Sequence, residues 1–215
     1  TDFVSVPART ALRMTEQVTM EAWINPAGDG TDGVGTIINK NGEYVVGWFN
    51  SGTIAYSFAG PGGAGWAWHD TGVAAPLNQW THVAVVFDRG AVTTYVNGVQ
   101  AHHLANIGFA TLGDADVVKN DLRIGGGRLS DTYQIFNGRI DEARVWSTAR
   151  TATEIVDNYN RLLDGSETGL QGYWQFEDQV DADLLRNGDQ VRDLSLNLAH
   201  GTLRGTLTPT SVPLE

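Results

Sequence analysis

The chain has no cysteine among its 215 residues. Disulfides and thiolate metal sites are thereby excluded, whereas secretion is not. Cations are scarce as well: 14 Lys and Arg stand against 25 Asp and Glu, a formal net charge of −11. Phosphate-backbone binding needs clustered Lys and Arg, and no such run occurs, so nucleic acid is excluded as a partner. The same balance argues against anionic membranes and heparin-like polymers. No apolar run approaches the roughly 18 residues of a membrane-spanning helix, so no membrane insertion is expected. Thr1-Asp2-Phe3 opens in a strand pattern rather than a signal peptide, and the chain reads as a mature fragment or a module cut from a larger protein. Gly-x-Ser-x-Gly and phosphate-binding loops are also missing.

What is present favours strands. Glycine is abundant, at 26 residues, and Val and Thr recur through segments bounded by turn residues. Hydrophobic residues make up 41% of the chain, enough for a sizeable core, and one domain over 1–215 is the natural reading. Strands are expected at 2–6, 17–25, 35–39, 43–49, 53–58, 66–69, 80–88, 91–97, 99–104, 121–125, 138–146, 170–176 and 200–204. Asn97-Gly98 and Asn41-Gly42 read as two-residue hairpin turns, and the glycine-rich run 60–65 as a surface loop. Two packed antiparallel sheets explain this pattern; a helical or doubly wound fold does not.

One stretch says more than the rest. Gly138-Arg-Ile-Asp-Glu-Ala-Arg-Val-Trp146 alternates, with Ile140, Glu142, Arg144 and Trp146 on one side and Asp141, Ala143 and Val145 on the other. Thr151-Ala-Thr-Glu154 then has capping-box spacing, and Ile155, Tyr159 and Leu162 recur at helical intervals, predicting a short helix near 151–163. Together with Val18-Thr-Met-Glu-Ala-Trp-Ile-Asn-Pro26, Trp80-Thr-His-Val-Ala-Val-Val86, Tyr95-Val-Asn-Gly98 and Leu170-Gln-Gly-Tyr-Trp-Gln-Phe176, this passage resembles the laminin-G-like, concanavalin A-like jelly-roll family, which includes pentraxin-related domains. The collinear order of these motifs carries the resemblance over nearly the whole chain.

The resemblance implies an all-β, two-sheet antiparallel jelly-roll sandwich and a module that binds rather than catalyses. It further implies a structural calcium ion (Ca2+), with Asp141 as carboxylate ligand and carbonyls from the Asp2 region and the Asn41-Gly42 turn. The bland alternative for Asp141 is a turn cap or a pair with Arg139 or Arg144. Asp114-Ala-Asp116 and Asp181-Ala-Asp183 lack the rest of an EF-hand loop and read as solvated residues.

Of the seven tryptophans, Trp23, Trp80, Trp146 and Trp174 fall within the family-like core motifs and are assigned to packing. Trp48, Trp66 and Trp68 do not, and with His69 they are expected to contribute to ligand binding. Trp66 and Trp68 share one face of the strand expected at 66–69, and His69 follows. Paired rings stack on the C–H faces of sugars while nearby polar groups bond the hydroxyls; Tyr56, Tyr133 and Arg128 are candidates for that role. Ordinary packing is the alternative. His82 and His200 belong to structural motifs, and the adjacent His102 and His103 face opposite ways, so no zinc site is expected.

Catalysis is tested by looking for paired acids. Retaining glycosidases hold two carboxylates about 5 Å apart, which one strand supplies at i, i+2 spacing. Asp141-Glu142 and Glu177-Asp178 are consecutive, hence placed on opposite faces, and no other strand offers a pair. The expectation is a non-enzymatic, extracellular or cell-surface module, monomeric within a multidomain chain, that binds a glycan or polysaccharide, or else a cell-surface protein.

Overall fold

The computed structural model describes residues 2–114, 121–127, 131–176 and 187–205. Their strands are β1 (Phe3–Val6), β2 (Gln17–Pro26), β3 (Val34–Lys40), β4 (Tyr44–Phe49), β5 (Thr53–Phe58), β6 (His69–Ala74), β7 (Thr81–Asp88), β8 (Ala91–Val96), β9 (Val99–Leu104), β10 (Leu122–Ile124), β11 (Gly138–Trp146), β12 (Leu170–Trp174), β13 (Gln190–Val191) and β14 (Gly201–Arg204). They form an eight-stranded sheet in the order β13-β14-β1-β10-β3-β4-β5-β6 and a six-stranded sheet in the order β12-β11-β2-β7-β8-β9. Neighbours pair antiparallel throughout. The expected jelly-roll sandwich is the architecture found.

Period-two patterning builds the core between the sheets. Val18, Met20, Ala22 and Ile24 of β2 and Val83, Val85 and Phe87 of β7 face Val4, Val6, Tyr44, Val46, Trp48, Tyr56 and Phe58 of the other sheet. Trp48 is 2% exposed and its indole N–H donates to Ala75 O at 2.9 Å. It is a core residue and leaves the expected ligand set.

The outer face of the six-stranded sheet is covered too. Helix α1 (Ala152–Asn158) starts at the capping box the sequence signalled: Glu154 N–H donates to Thr151 Oγ1, and Thr151 N–H to Glu154 Oε2. Its buried Ile155 packs on Ala84, Val86 and Tyr95, while Trp146, Leu170 and Tyr173 form a second small cluster on this side.

Three local expectations change. Asn97 and Gly98 both take positive φ, as a two-residue turn requires, but at the β3–β4 connection only Gly42 does. Lys40 pairs with Tyr44 and Glu43 N–H donates to Lys40 O, so that connection has three residues. The strand expected at 66–69 starts instead at His69, opposite Tyr56, because the glycine-rich chain keeps turning through Ala67. Finally, β11 does not alternate. Asp141 pairs with Trp23 and Arg144 with Glu21, so Glu142 and Ala143 together oppose Ala22. Glu142 adopts φ +52° at this bulge.

Candidate functional site

The loop between β5 and β6 carries the two unassigned tryptophans, both partly exposed. Trp66 N–H donates to Gly63 O at 3.4 Å, tying it to the glycine turn. Trp68 lies on the outer face of the eight-stranded sheet, over Gly47. A Cβ at position 47 would stand 2.9 Å from the Trp68 ring and 2.9 Å from Val34 Cγ2. Phe49 holds the same indole edge-on, with centroids 5.8 Å apart and planes at 66°. The ring is thus fixed from below by a glycine and from the side by a phenyl group, while part of it stays open to solvent.

The other expected ligand residues do not join it. His69 stacks on Tyr56, with centroids 5.5 Å apart at 15°, at the margin where β6 approaches β9. Tyr133 is elsewhere: Gly127 N–H donates to its carbonyl, and its hydroxyl accepts from Gln134 Nε2 at 3.1 Å. Arg128 lies outside the described residues, as do Asp116, Glu177, Asp178, Asp181 and Asp183.

The expected calcium ligands are also scattered. Register aligns Val6 with Leu122 and Leu122 with Lys40, so the Asn41-Gly42 turn lies beyond the Val6 end of β1. Asp2 precedes the other end, four residues of strand away, or about 13 Å. The β11 residue that reaches the Asp2 end is Ile140, near Gly125 on the core side. Asp141, one residue on, faces outward opposite Trp23, is 2% exposed, and accepts the Glu142 N–H at 2.8 Å. Asp141, Asp2, Asn41 and Gly42 therefore do not converge, and among the described residues no three His, Asp or Glu side chains gather as a metal site.

The acids of β11 serve an internal network. The bulge brings Glu142 to the outer face that Asp141 shares, so their opposite-face assignment does not hold. Glu142 Oε2 accepts from Arg144 Nη2 and from the Tyr173 hydroxyl, each at 2.6 Å. Arg144 also donates to the carbonyls of Asn158 and Arg161, tying the sheet to the end of α1 and the chain that follows it. Opposite it, Glu21 approaches His82 Nε2 at 3.3 Å. Burial opposes ionisation of Glu21, but His82, Arg144 and Arg150 outweigh it and hold its carboxyl below the ordinary range. Burial pushes His82 down, favouring a neutral ring. The Tyr173 hydroxyl is pushed well up, by burial first and then by the Glu142 charge. These carboxylates are engaged by Arg144, the Tyr173 hydroxyl and His82 in the outer layer of the sheet.

A second surface feature escaped sequence reasoning. On the outer face of the eight-stranded sheet, β14, β1 and β10 line a groove of about 470 Å³ with Phe3, Ser5, Arg123, Asp131, Asn187 and Arg204. The Arg123 guanidinium sits 4.4 Å above the Phe3 ring and donates to Asp121, Asp131 and the Gly127 carbonyl. Positions 3, 123 and 204 are 201 residues apart at the extremes, and only the register Phe3–Arg204 and Ser5–Arg123 brings them together.

A laminin-G model described as the Concanavalin A-like lectin/glucanases superfamily matches residues 1–156. No curated protein matches the sequence. Among solved structures, a Bacteroides ovatus protein named as a carbohydrate-binding candidate superposes with a TM-score of 0.75 at 22% identity, over 99% of this chain. The chain spans 58% of that protein's length. Domain 4 of an extracellular arabinanase from Geobacillus stearothermophilus, in complex with arabinotriose, gives 0.52 at 24% identity, covering 72% of this chain and 71% of its own. The Ruminococcus gnavus sialidase CBM40 bound to α2,3-sialyllactose gives 0.56 at 15%, covering 73% and 93%. At these identities the likenesses establish the fold.

Proposed function

This chain belongs to the concanavalin A-like lectin/glucanases superfamily, and from that premise we propose that it is a non-catalytic, extracellular carbohydrate-recognition module. The observation that carries the reading is Trp68, locked by Phe49 and Gly47 yet partly exposed, with Trp66 two residues before it on the same loop. A ring that pays little ordering cost on binding is suited to stack on a sugar face. The structural neighbours that hold arabinotriose and sialyllactose support the ligand class. The neutralised Glu142 supports binding without turnover. A structural calcium ion would need ligands other than the convergent set expected from Asp141, Asp2 and the Asn41-Gly42 turn.

Affinity electrophoresis in polysaccharide gels tests the proposal, with a reducing-sugar assay beside it. Retardation by at least one glycan, abolished by Trp66→Ala/Trp68→Ala with the fold retained and no sugar released, is the expected result. Unchanged retardation in the double variant would remove the tryptophan platform. A second reading, docking of a protein partner, is favoured by the loop after Asp193. There the buried Asp193 carboxylate accepts from Tyr173, Ser195 and Ala199 N–H groups, while Leu196 and Leu198 stand 78% and 58% exposed.

A further inference from the structure

We propose that the β14–β1–β10 groove is a saccharide subsite separate from the tryptophan loop, and that it takes a sugar acid through its carboxylate. The proposal deepens the glycan reading and rests on it.

The groove has an asymmetric charge layout. Arg123 is 8% exposed, and its guanidinium is committed to Asp121, Asp131, the Gly127 carbonyl and the face of Phe3. It forms the floor and is fixed in place. Arg204 is different: it is exposed at the end of β14, and no acidic side chain among the described residues pairs with it. Among the described residues its guanidinium is the groove's available cation, with donors suited to a carboxylate held through two hydrogen bonds. The Asp131 side chain is 76% exposed, so one end of it contacts Arg123 while the rest faces solvent as a hydroxyl acceptor. Asn187 adds an amide whose oxygen accepts from Gly205 N–H, which directs its NH2 donors away from that bond.

A ligand that satisfies this lining needs one anion for Arg204 and hydroxyl groups for Asp131 and Asn187. A sugar acid has both. A neutral sugar leaves Arg204 unmatched, and a bare phosphate offers nothing to an exposed carboxylate. The chain's charge of −11 sets a limit on the occupant. A polyanion would be repelled along its length, whereas a single carboxylate responds to the charges within a screening length of about 8 Å. The fitting occupant is therefore a short glycan bearing one acidic residue.

The test uses trisaccharides that end in one glucuronate, galacturonate, mannuronate or sialate, each paired with its carboxyl-reduced neutral counterpart. Binding is measured by titration calorimetry with the whole chain, the Arg204→Gln and Arg204→Lys variants, and Trp66→Ala/Trp68→Ala. At least one acidic trisaccharide should bind about tenfold or more tighter than its reduced form. Arg204→Gln should abolish that difference, Arg204→Lys should keep part of it, and raised salt should shrink it. Equal affinity for the acidic and reduced partners, or an Arg204→Gln protein that still discriminates, overturns the subsite. If neutral sugars bind in a manner dependent only on Trp66 and Trp68, the subsite falls and the glycan reading stands. If no saccharide of either kind binds, both fall together.

Discussion

Replacing Arg144 with methionine removes a guanidinium that is 0% exposed, bonded to Glu142 at 2.6 Å and set opposite Glu21. Two buried carboxylates then lose a countercharge, and the carbonyls of Asn158 and Arg161 lose a donor. Breaking a buried pair from one side typically costs about 3–5 kcal/mol, because the remaining charge stays desolvated. For a chain of this size each kcal/mol lowers the melting midpoint by about 2–4 °C, so a fall of about 6–20 °C follows. Thermal unfolding followed by near-ultraviolet circular dichroism measures it. Adding Glu142→Gln to Arg144→Met should recover part of the loss, since one of the two stranded charges is then gone. Acidity supplies an independent check. Arg144 is among the charges that hold the Glu21 carboxyl below its ordinary range, so part of the parent's stability is present at neutral pH and lost as pH falls through that lowered value, and the variant lacks this part. The gap to the parent chain should narrow toward pH 4. An Arg144→Met midpoint within about 2 °C of the parent, or a gap independent of pH, would refute the electrostatic account.

Gly47→Ala places a methyl group 2.9 Å from the Trp68 ring and should weaken glycan retention several-fold in affinity gels while the chain stays folded. Asp141→Asn weakens the acceptor for Glu142 N–H and should lower stability by about 1–2 kcal/mol in denaturant titrations; a loss of equal size with and without EDTA would separate this role from calcium binding. Thr151→Ala removes the N-cap of α1 and should cost about 1 kcal/mol by the same assay. Burial holds the folded-state pKa of His82 below its unfolded value, so its contribution is complete above about pH 6.5 and declines as pH drops toward the folded value. His82→Gln should flatten the stability profile over that interval, and an unaltered profile would count against His82 as the titrating group.

Most of the fold was legible because period two is written plainly in β2 and β7, and because the Asn97-Gly98 turn and the Thr151–Glu154 capping box are local signals. What failed was phase. One extra residue at Glu142 reverses the face of everything before it, and sequence alternation alone does not reveal which residue a bulge absorbs. The Trp66–Trp68 loop was legible as unusual, since neither ring belongs to a core motif, but its support by Phe49 and Gly47 depends on a neighbouring strand. Tyr133 and Trp48 were grouped with it by residue type alone, and tertiary structure sends one to the Gly127 turn and the other to the core. The Arg204 groove left no local trace, because its members come from the two extremes of the chain and meet only through register.

That same register has a mechanical meaning. β1 lies antiparallel against β14, with Phe3 facing Arg204, so the chain enters and leaves this sheet at neighbouring points. Tension applied between Phe3 and Arg204 would pull the two strands apart from one end, opening their hydrogen bonds in succession rather than loading them together. Because Val4, Val6 and Leu203 of these strands are core residues, parting them would also open one edge of the core. A sugar acid seated on Arg204 beside Phe3 would sit at the tip of that zipper, where a bound ligand most directly resists the first opening.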